Sequence, residues 1–185
     1  MKQALIIIDA QQELIEGSKE APPVFEKERL VANINTVIEK ANTENAAIVF
    51  IRDVDVANGE GPGFDIHKDI KVPPSAVIFN KSATNCFYGT PLDTYLTENN
   101  IQHLVMMGCK TEHCIDTAVR TATVRHVDVT LVGDGHSTTD SKTLSAKQII
   151  LHHNEALHGH YNVDHFSIVR NTNEALFEPT HNQFR

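Results

Sequence analysis

Apolar residues fall along the chain in short unbroken blocks, separated by stretches where they recur at helical spacing. Ala4-Leu5-Ile6-Ile7-Ile8 is the first block, with the look of a strand buried on both faces. Past Pro22 and Pro23, residues 26–44 carry Leu30, Ile34, Ile38 and Ala41 on one helical stripe with charges between. Ala47-Ile48-Val49-Phe50-Ile51 predicts a second strand and Ala76-Val77-Ile78-Phe79 a third. Between those two, residues 53–74 have no period and hold Gly59, Gly61, Pro62, Gly63, Pro73 and Pro74. They predict a loop of roughly twenty residues, a length usually kept for function, here a flexible lid or a partner-facing segment.

The alternation continues. Thr90-Pro91 predicts a capped helix start running to about Asn99. Residues 103–107 predict a strand ending at Gly108, 114–124 a helix on Ile115, Ala118 and Ala122, and 127–132 a further strand. Residues 143–157 predict a long helix, 166–169 a sixth strand, and Asn173 the start of a short final helix. Strands alternating with helices require right-handed βαβ crossovers. The expected fold is α/β: one three-layer α/β/α domain over residues 1–185 with a mainly parallel, six-stranded, Rossmann-like sheet.

Composition narrows the setting. Sixteen Lys and Arg against twenty-four Asp and Glu give a net charge of −8, which lacks the basic footprint needed to neutralise a nucleic-acid backbone. The first apolar block is too short to span a bilayer and follows no basic secretion signal. Three cysteines, odd in number and without framework spacing, point to a reducing compartment. A cytoplasmic protein that acts on a small molecule, with neither membrane nor nucleic acid as partner, is the expectation.

In an open parallel sheet, ligands gather beyond the carboxyl ends of the strands. Asp9 follows the first strand, Lys81 follows the third after Asn80, and Cys114 opens the helix after the fourth. A cysteine at a helix N-terminus beside an ammonium is expected to have a lowered pKa. Asp9 could take the thiol proton and later return it to a leaving amine. Backbone amides of the turn 109–114 could hold the charge on an attacked carbonyl. Each residue alone has a plainer reading: Asp9 as a turn residue, Lys81 as a solvated strand end, Cys114 as a small hydrophobe. Cys86 and Cys109 are read as core. Phe87 and Tyr88 are candidates to line an apolar pocket, and Arg52 to bind an anionic substrate group.

Three segments carry a resemblance: Leu5-Ile6-Ile7-Ile8-Asp9-Ala10-Gln11, the stretch from Lys81 through Cys86-Phe87-Tyr88-Gly89-Thr90-Pro91 to Leu92, and Gly108-Cys109-Lys110-Thr111-Glu112-His113-Cys114. With Asp134-Gly135-His136-Ser137-Thr138 and Ile150-Leu151-His152-His153-Asn154, they resemble the isochorismatase-like cysteine hydrolase superfamily over nearly the whole chain. The resemblance implies a catalytic Asp9, Lys81 and Cys114, a cis peptide between Cys109 and Lys110, and an oxyanion hole from the amides of Lys110 and Cys114. It also implies a homo-oligomer and cleavage of an amide, lactam or carbamoyl C–N bond through a Cys114 thioester, as in the metal-free, streptothricin hydrolase-like branch.

Two departures shape this expectation. Nicotinamidases carry an Asp-x-His metal motif where this chain reads Arg52-Asp53-Val54-Asp55, and the following loop offers only His67, so neither metal nor cofactor is expected. True isochorismatases lack the nucleophilic cysteine that stands here as Cys114. The alternatives are a nicotinamidase- or isochorismatase-type hydrolase and a non-catalytic binding or regulatory protein that keeps the fold. The glycines of 59–63 lack the Lys-Ser/Thr of a phosphate loop. His152, His153, His158, His160 and His165 show no clean i, i+4 pair and read as hydrogen-bonded structure or interface.

Overall fold

The computed structural model describes residues 2–185. In chain order its strands are β1 (Lys2–Ile8), β2 (Ala47–Asp53), β3 (Val77–Lys81), β4 (Ile101–Cys109), β5 (Asp128–Ser137), β6 (Tyr161–Asn162) and β7 (His165–Arg170). The helices are α1 (Gln12–Glu16), α2 (Lys27–Thr43), α3 (Gly61–Phe64), α4 (Leu92–Glu98), α5 (Asp116–Val124) and α6 (Ala146–Leu157). They build one sheet in the order β3-β2-β1-β4-β5-β7-β6, parallel except for the β6–β7 pair. The three-layer parallel architecture is as expected, but the sheet has seven strands rather than six. The extra one is the two-residue β6, too short to leave a hydrophobic period in the sequence.

Because side chains alternate across a strand, β1 supplies both cores. Ala4, Ile6 and Ile8 pack with Leu92 and Leu96 of α4, Ala118, Val119 and Ala122 of α5, and Leu157 of α6. Leu5 and Ile7 face the other way, onto Ile15 of α1 and onto Leu30, Ile34, Val37, Ile38 and Ala41 of α2. This two-sided burial is why the strands read as unbroken apolar runs.

Two further expectations need correction. No helix starts at Asn173; Pro179 has no amide to offer the Ala175 carbonyl, the Arg170 guanidinium binds the carbonyls of Ala175 and Glu178 instead, and a 3-10 turn follows only at His181–Gln183. The segment 53–74 is not a structureless loop either. It holds a 3-10 turn at Val56–Gly59 and the short α3, and it buries Phe64, His67 and Ile70. Gln11 pins it, donating to the carbonyls of Asp53 (3.1 Å) and Phe64 (3.0 Å) and accepting from the Asp53 amide (2.8 Å). Among the described residues, no helix is long and apolar enough to cross a membrane.

The strand order reverses between β1 and β4, which opens a crevice at their carboxyl ends. The two strands come very close there: Gly108 pairs with Ile8 at φ +125°, and a Cβ on it would lie 2.0 Å from the Ile8 carbonyl oxygen. Gly108→Ala is expected to destabilise the fold by about 3 kcal/mol or more, read by urea denaturation. A change below about 1 kcal/mol would mean that the strands can separate without loss.

Candidate active site

Four side chains meet at the crevice. Asp9 leaves β1 with φ 51°, its amide donating to the Ile51 carbonyl at 2.8 Å, which holds it over the β1–β2 boundary. Asp53 and Lys81 end β2 and β3 and are register partners. Cys114 sits in a wide π-type turn, Thr111–Ile115, that leads into α5. The turn is anchored from below: Thr111 Oγ1 bonds His136 Nδ1 (2.9 Å), His136 Nε2 bonds Asn154 Oδ1 (2.8 Å), and Asn154 donates to the Gly133 carbonyl (2.9 Å). Burial pushes His136 down to about 4, so it serves as a neutral link between strand, turn and helix.

Lys81 is the hub. Its ammonium lies 3.0 Å from Asp9 Oδ2 and 3.4 Å from the Cys114 sulfur, and it donates a short hydrogen bond to Asp53 Oδ2. Its side chain is fully buried. Burial opposes that charge, but the facing Asp9, Cys114 and Asp53 outweigh the desolvation and hold the lysine protonated well above its ordinary range. For Asp9 the balance goes the other way. Desolvation raises its carboxyl from 3.8 to about 6 although Lys81 pulls it down, and its Oδ1 is buried with no hydrogen-bond partner.

The Cys114 thiol contradicts the expected lowered pKa. Burial first and the Asp9 charge second push it up to about 12, with Lys81 only partly offsetting them. The resting sulfur is therefore a neutral thiol, and it becomes nucleophilic only if a base takes its proton. Asp9, tuned near neutrality, is such a base within the same cluster.

The other expected residues divide. The peptide between Cys109 and Lys110 is cis. The amides of His113 and Ile115 both donate to the Lys110 carbonyl (3.2 Å each), which takes no bond from the Cys114 amide between them. Arg52 is turned away from the crevice. It bonds Asn80 (3.1 Å), faces Asp65 (3.7 Å) and stacks over Phe64 (4.2 Å). Phe87 is core, with Arg125 over its ring, and Tyr88 is 68% exposed. None of these three lines the cavity at Cys114. Cys86 and Cys109 are buried, with thiols raised far above the ordinary value by desolvation. The histidines of 152–165 are held separately: His153 on the Ile149 carbonyl, His158 on the Val169 amide, His160 on Arg120 and His165 on Asp128, while His152 packs against His153.

Asp53 and Gln11 went unrecognised in the sequence as site residues. The signal for Asp53 was its place at the end of a strand beside the one carrying Lys81. Asp9, Asp53 and Cys114 bring one ligand atom each within 4.8 Å of one another, a geometry that would suit a metal. The Lys81 ammonium already bonds all three, so the cation these groups surround is the lysine. His67 stands apart, bonded to Glu16 at 3.0 Å. Above Cys114 lies a cavity of about 310 Å³, walled by residues of α1, of the segment after β2, and by Lys110.

Comparison with known proteins bears on the family and the fold. The isochorismatase domain model matches residues 3–152. Streptothricin hydrolase from Streptomyces noursei is 27% identical over 144 residues, covering 75% of this chain and 55% of that protein, so the chain spans about half the length of that relative. A solved isochorismatase family protein superposes with a TM-score of 0.81 at 26% identity, over 91% of this chain and 98% of the other. N-carbamoylsarcosine amidase from Thermoplasma acidophilum shares the fold with a TM-score of 0.75 at 21% identity, over 95% and 99%.

Only one of the three thiols borders the cavity, and this is testable. Native protein treated with iodoacetamide is expected to take up one equivalent at Cys114, with Cys86 and Cys109 reacting only after unfolding, as followed by intact mass and peptide mapping. Equal labelling of all three in the native state would refute this placement.

Proposed function

The chain belongs to the isochorismatase family, and from that premise we propose that it hydrolyses a C–N bond of a small amide, lactam or carbamoyl compound through a thioester on Cys114. The observation that carries the reading is the bridging ammonium of Lys81, which brings a neutral thiol and a carboxylate of pKa about 6 together at the floor of a cavity. The similarity to proteins named streptothricin hydrolase and N-carbamoylsarcosine amidase supports the reaction class.

In this reading Asp9 takes the thiol proton as the sulfur bonds to the substrate's carbonyl carbon. Lys81 stabilises the charge that develops on sulfur. The carbonyl oxygen becomes an oxyanion, held by the amides of Lys110 and Cys114. When the tetrahedral species collapses, the C–N bond breaks and Asp9 passes its proton to the departing nitrogen. Asp9, again a carboxylate, takes a proton from water while the water oxygen bonds to the thioester carbon. The C–S bond then breaks, the proton returns to sulfur, and the acid leaves. Asp9 thus alternates between base and acid, a cycle suited to a group whose pKa lies near neutrality. Lys81 stays charged throughout.

Cys114→Ala is expected to abolish turnover while the circular dichroism spectrum is retained; undiminished hydrolysis would rule out the covalent route. The pH profile supplies a second check. Asp9 must be ionised to act first, so kcat/KM should rise tenfold per pH unit on the acid side and level off above about 6. Asp9→Asn should lower the plateau by roughly 100- to 10,000-fold and remove that limb. An unchanged limb in Asp9→Asn would assign the titration to another group.

A further inference from the structure

The proton and acyl transfers at Cys114 give no task to Asp53, although its carboxylate stands in the same cluster. A lysine ammonium has three donors. Around Lys81 stand three partners: the Cys114 sulfur at 3.4 Å, Asp9 Oδ2 at 3.0 Å, and Asp53 Oδ2, which accepts a short hydrogen bond. The other Asp53 oxygen accepts from the Asp55 amide at 3.0 Å, so both oxygens of this carboxylate are engaged. Its backbone is fixed independently of its side chain, because Gln11 donates to the Asp53 carbonyl (3.1 Å) and accepts from the Asp53 amide (2.8 Å). Two residues earlier on β2, the Ile51 carbonyl takes the Asp9 amide at 2.8 Å. One strand end therefore sets both carboxylates against the one ammonium.

We propose that Asp53 is a positioning residue for the Cys114 reaction: a second counter-charge that keeps the Lys81 ammonium shared between Asp9 and the sulfur and prevents a closed Lys81–Asp9 ion pair. The inference rests on the hydrolase reading and gives a role in it to a residue that touches no reacting atom. With Asp9 as its sole carboxylate partner, a buried ammonium would settle onto it, because opposite charges attract more strongly where water is scarce. The chemistry would lose twice. Asp9 held firmly as an anion is a weaker base toward the thiol, and an ammonium drawn off the sulfur no longer faces the charge that develops there. Asp53 takes part of the same ammonium's charge and so relieves both effects. The groups facing Asp9 fit this balance. Burial is the leading influence and raises its carboxyl; Lys81 on β3 comes next and lowers it, the Cys114 thiol of the turn lowers it through a hydrogen bond, and Asp53 on β2 raises it. Asp53 acts on Asp9 directly as a like charge and indirectly through the lysine, and both influences have the same sign.

The test compares wild type with Asp53→Asn, which keeps the shape and an oxygen acceptor but removes the charge, and with Asp53→Ala, which removes both. Since Gln11 holds the backbone at this position, both variants should keep the wild-type circular dichroism spectrum. Two NMR readouts need no substrate. The Asp9 carboxyl, titrating near 6 in wild type, should fall by about half a pH unit or more in Asp53→Asn, because a like charge is gone and the lysine is freed toward it. The Lys81 ammonium, followed through its 15N signal, should exchange protons with water several-fold faster in Asp53→Ala. With p-nitrophenyl acetate as acyl donor, the plateau of kcat/KM should drop by roughly tenfold to 100-fold in both variants, and in Asp53→Asn the acid limb should move down with the Asp9 midpoint. A merely structural role would lower activity while leaving the Asp9 midpoint in place, and that result overturns the inference, as does an ammonium whose exchange is unchanged in both variants. The two readings fail separately. Release of p-nitrophenolate that requires Cys114, with an unmoved Asp9 midpoint, keeps the hydrolase and removes this role from Asp53. A lowered midpoint with release undiminished in Cys114→Ala does the reverse.

Discussion

One buried ammonium governs this site. Among the described residues Lys81, with no exposed side-chain surface, is the only cation in contact with Asp9, Asp53 and Cys114. Such a charge is tolerable inside a protein only when oppositely charged groups and hydrogen bonds surround it. Two carboxylates and a sulfur within reach meet that condition, and the same arrangement sets the chemistry. The carboxylates are kept from repelling each other, the sulfur gains a positive neighbour for its reactive form, and Asp9 is held between full ionisation and full neutrality. The fold supplies the geometry through backbone register: Asp53 and Lys81 are partners on adjacent strands, and the close β1–β4 approach at Gly108 brings Asp9 and the Cys114 turn to the same crevice.

Most of this architecture was legible in the sequence, for physical reasons that also mark the limits. Strands buried on both faces announce themselves as unbroken runs such as Leu5 to Ile8, so their carboxyl ends, and the residues just beyond them, could be located. That places Asp9, Lys81 and Cys114 toward one edge of the sheet from the sequence alone. Asp53 escaped notice because its importance comes from pairing with Lys81, and register between strands leaves no local mark. The two-residue β6 left no period. The final turns near Asn173 are set by a side chain, the Arg170 guanidinium, that captures the carbonyls of Ala175 and Glu178 and leaves no mark in the hydrophobic period.

The largest electrostatic correction concerns Cys114. A position at the start of a helix beside an ammonium suggested an ionised thiol, but burial and the Asp9 charge outweigh both effects. Local rules about dipoles and neighbours apply to partly solvated groups, and here desolvation is the leading influence on Asp9 and Cys114 alike. The consequence is a resting site that stores its proton on sulfur and its base on Asp9.

The central claim is that Lys81 tunes Asp9 against the pull of burial. A carbon-detected NMR titration of the Asp9 carboxyl, in the wild-type chain and in Lys81→Met, tests it most directly. The account predicts a midpoint near 6 in the wild type and a clearly higher one once the ammonium is gone. A midpoint at the ordinary 3.8 that stays put without the lysine would contradict it.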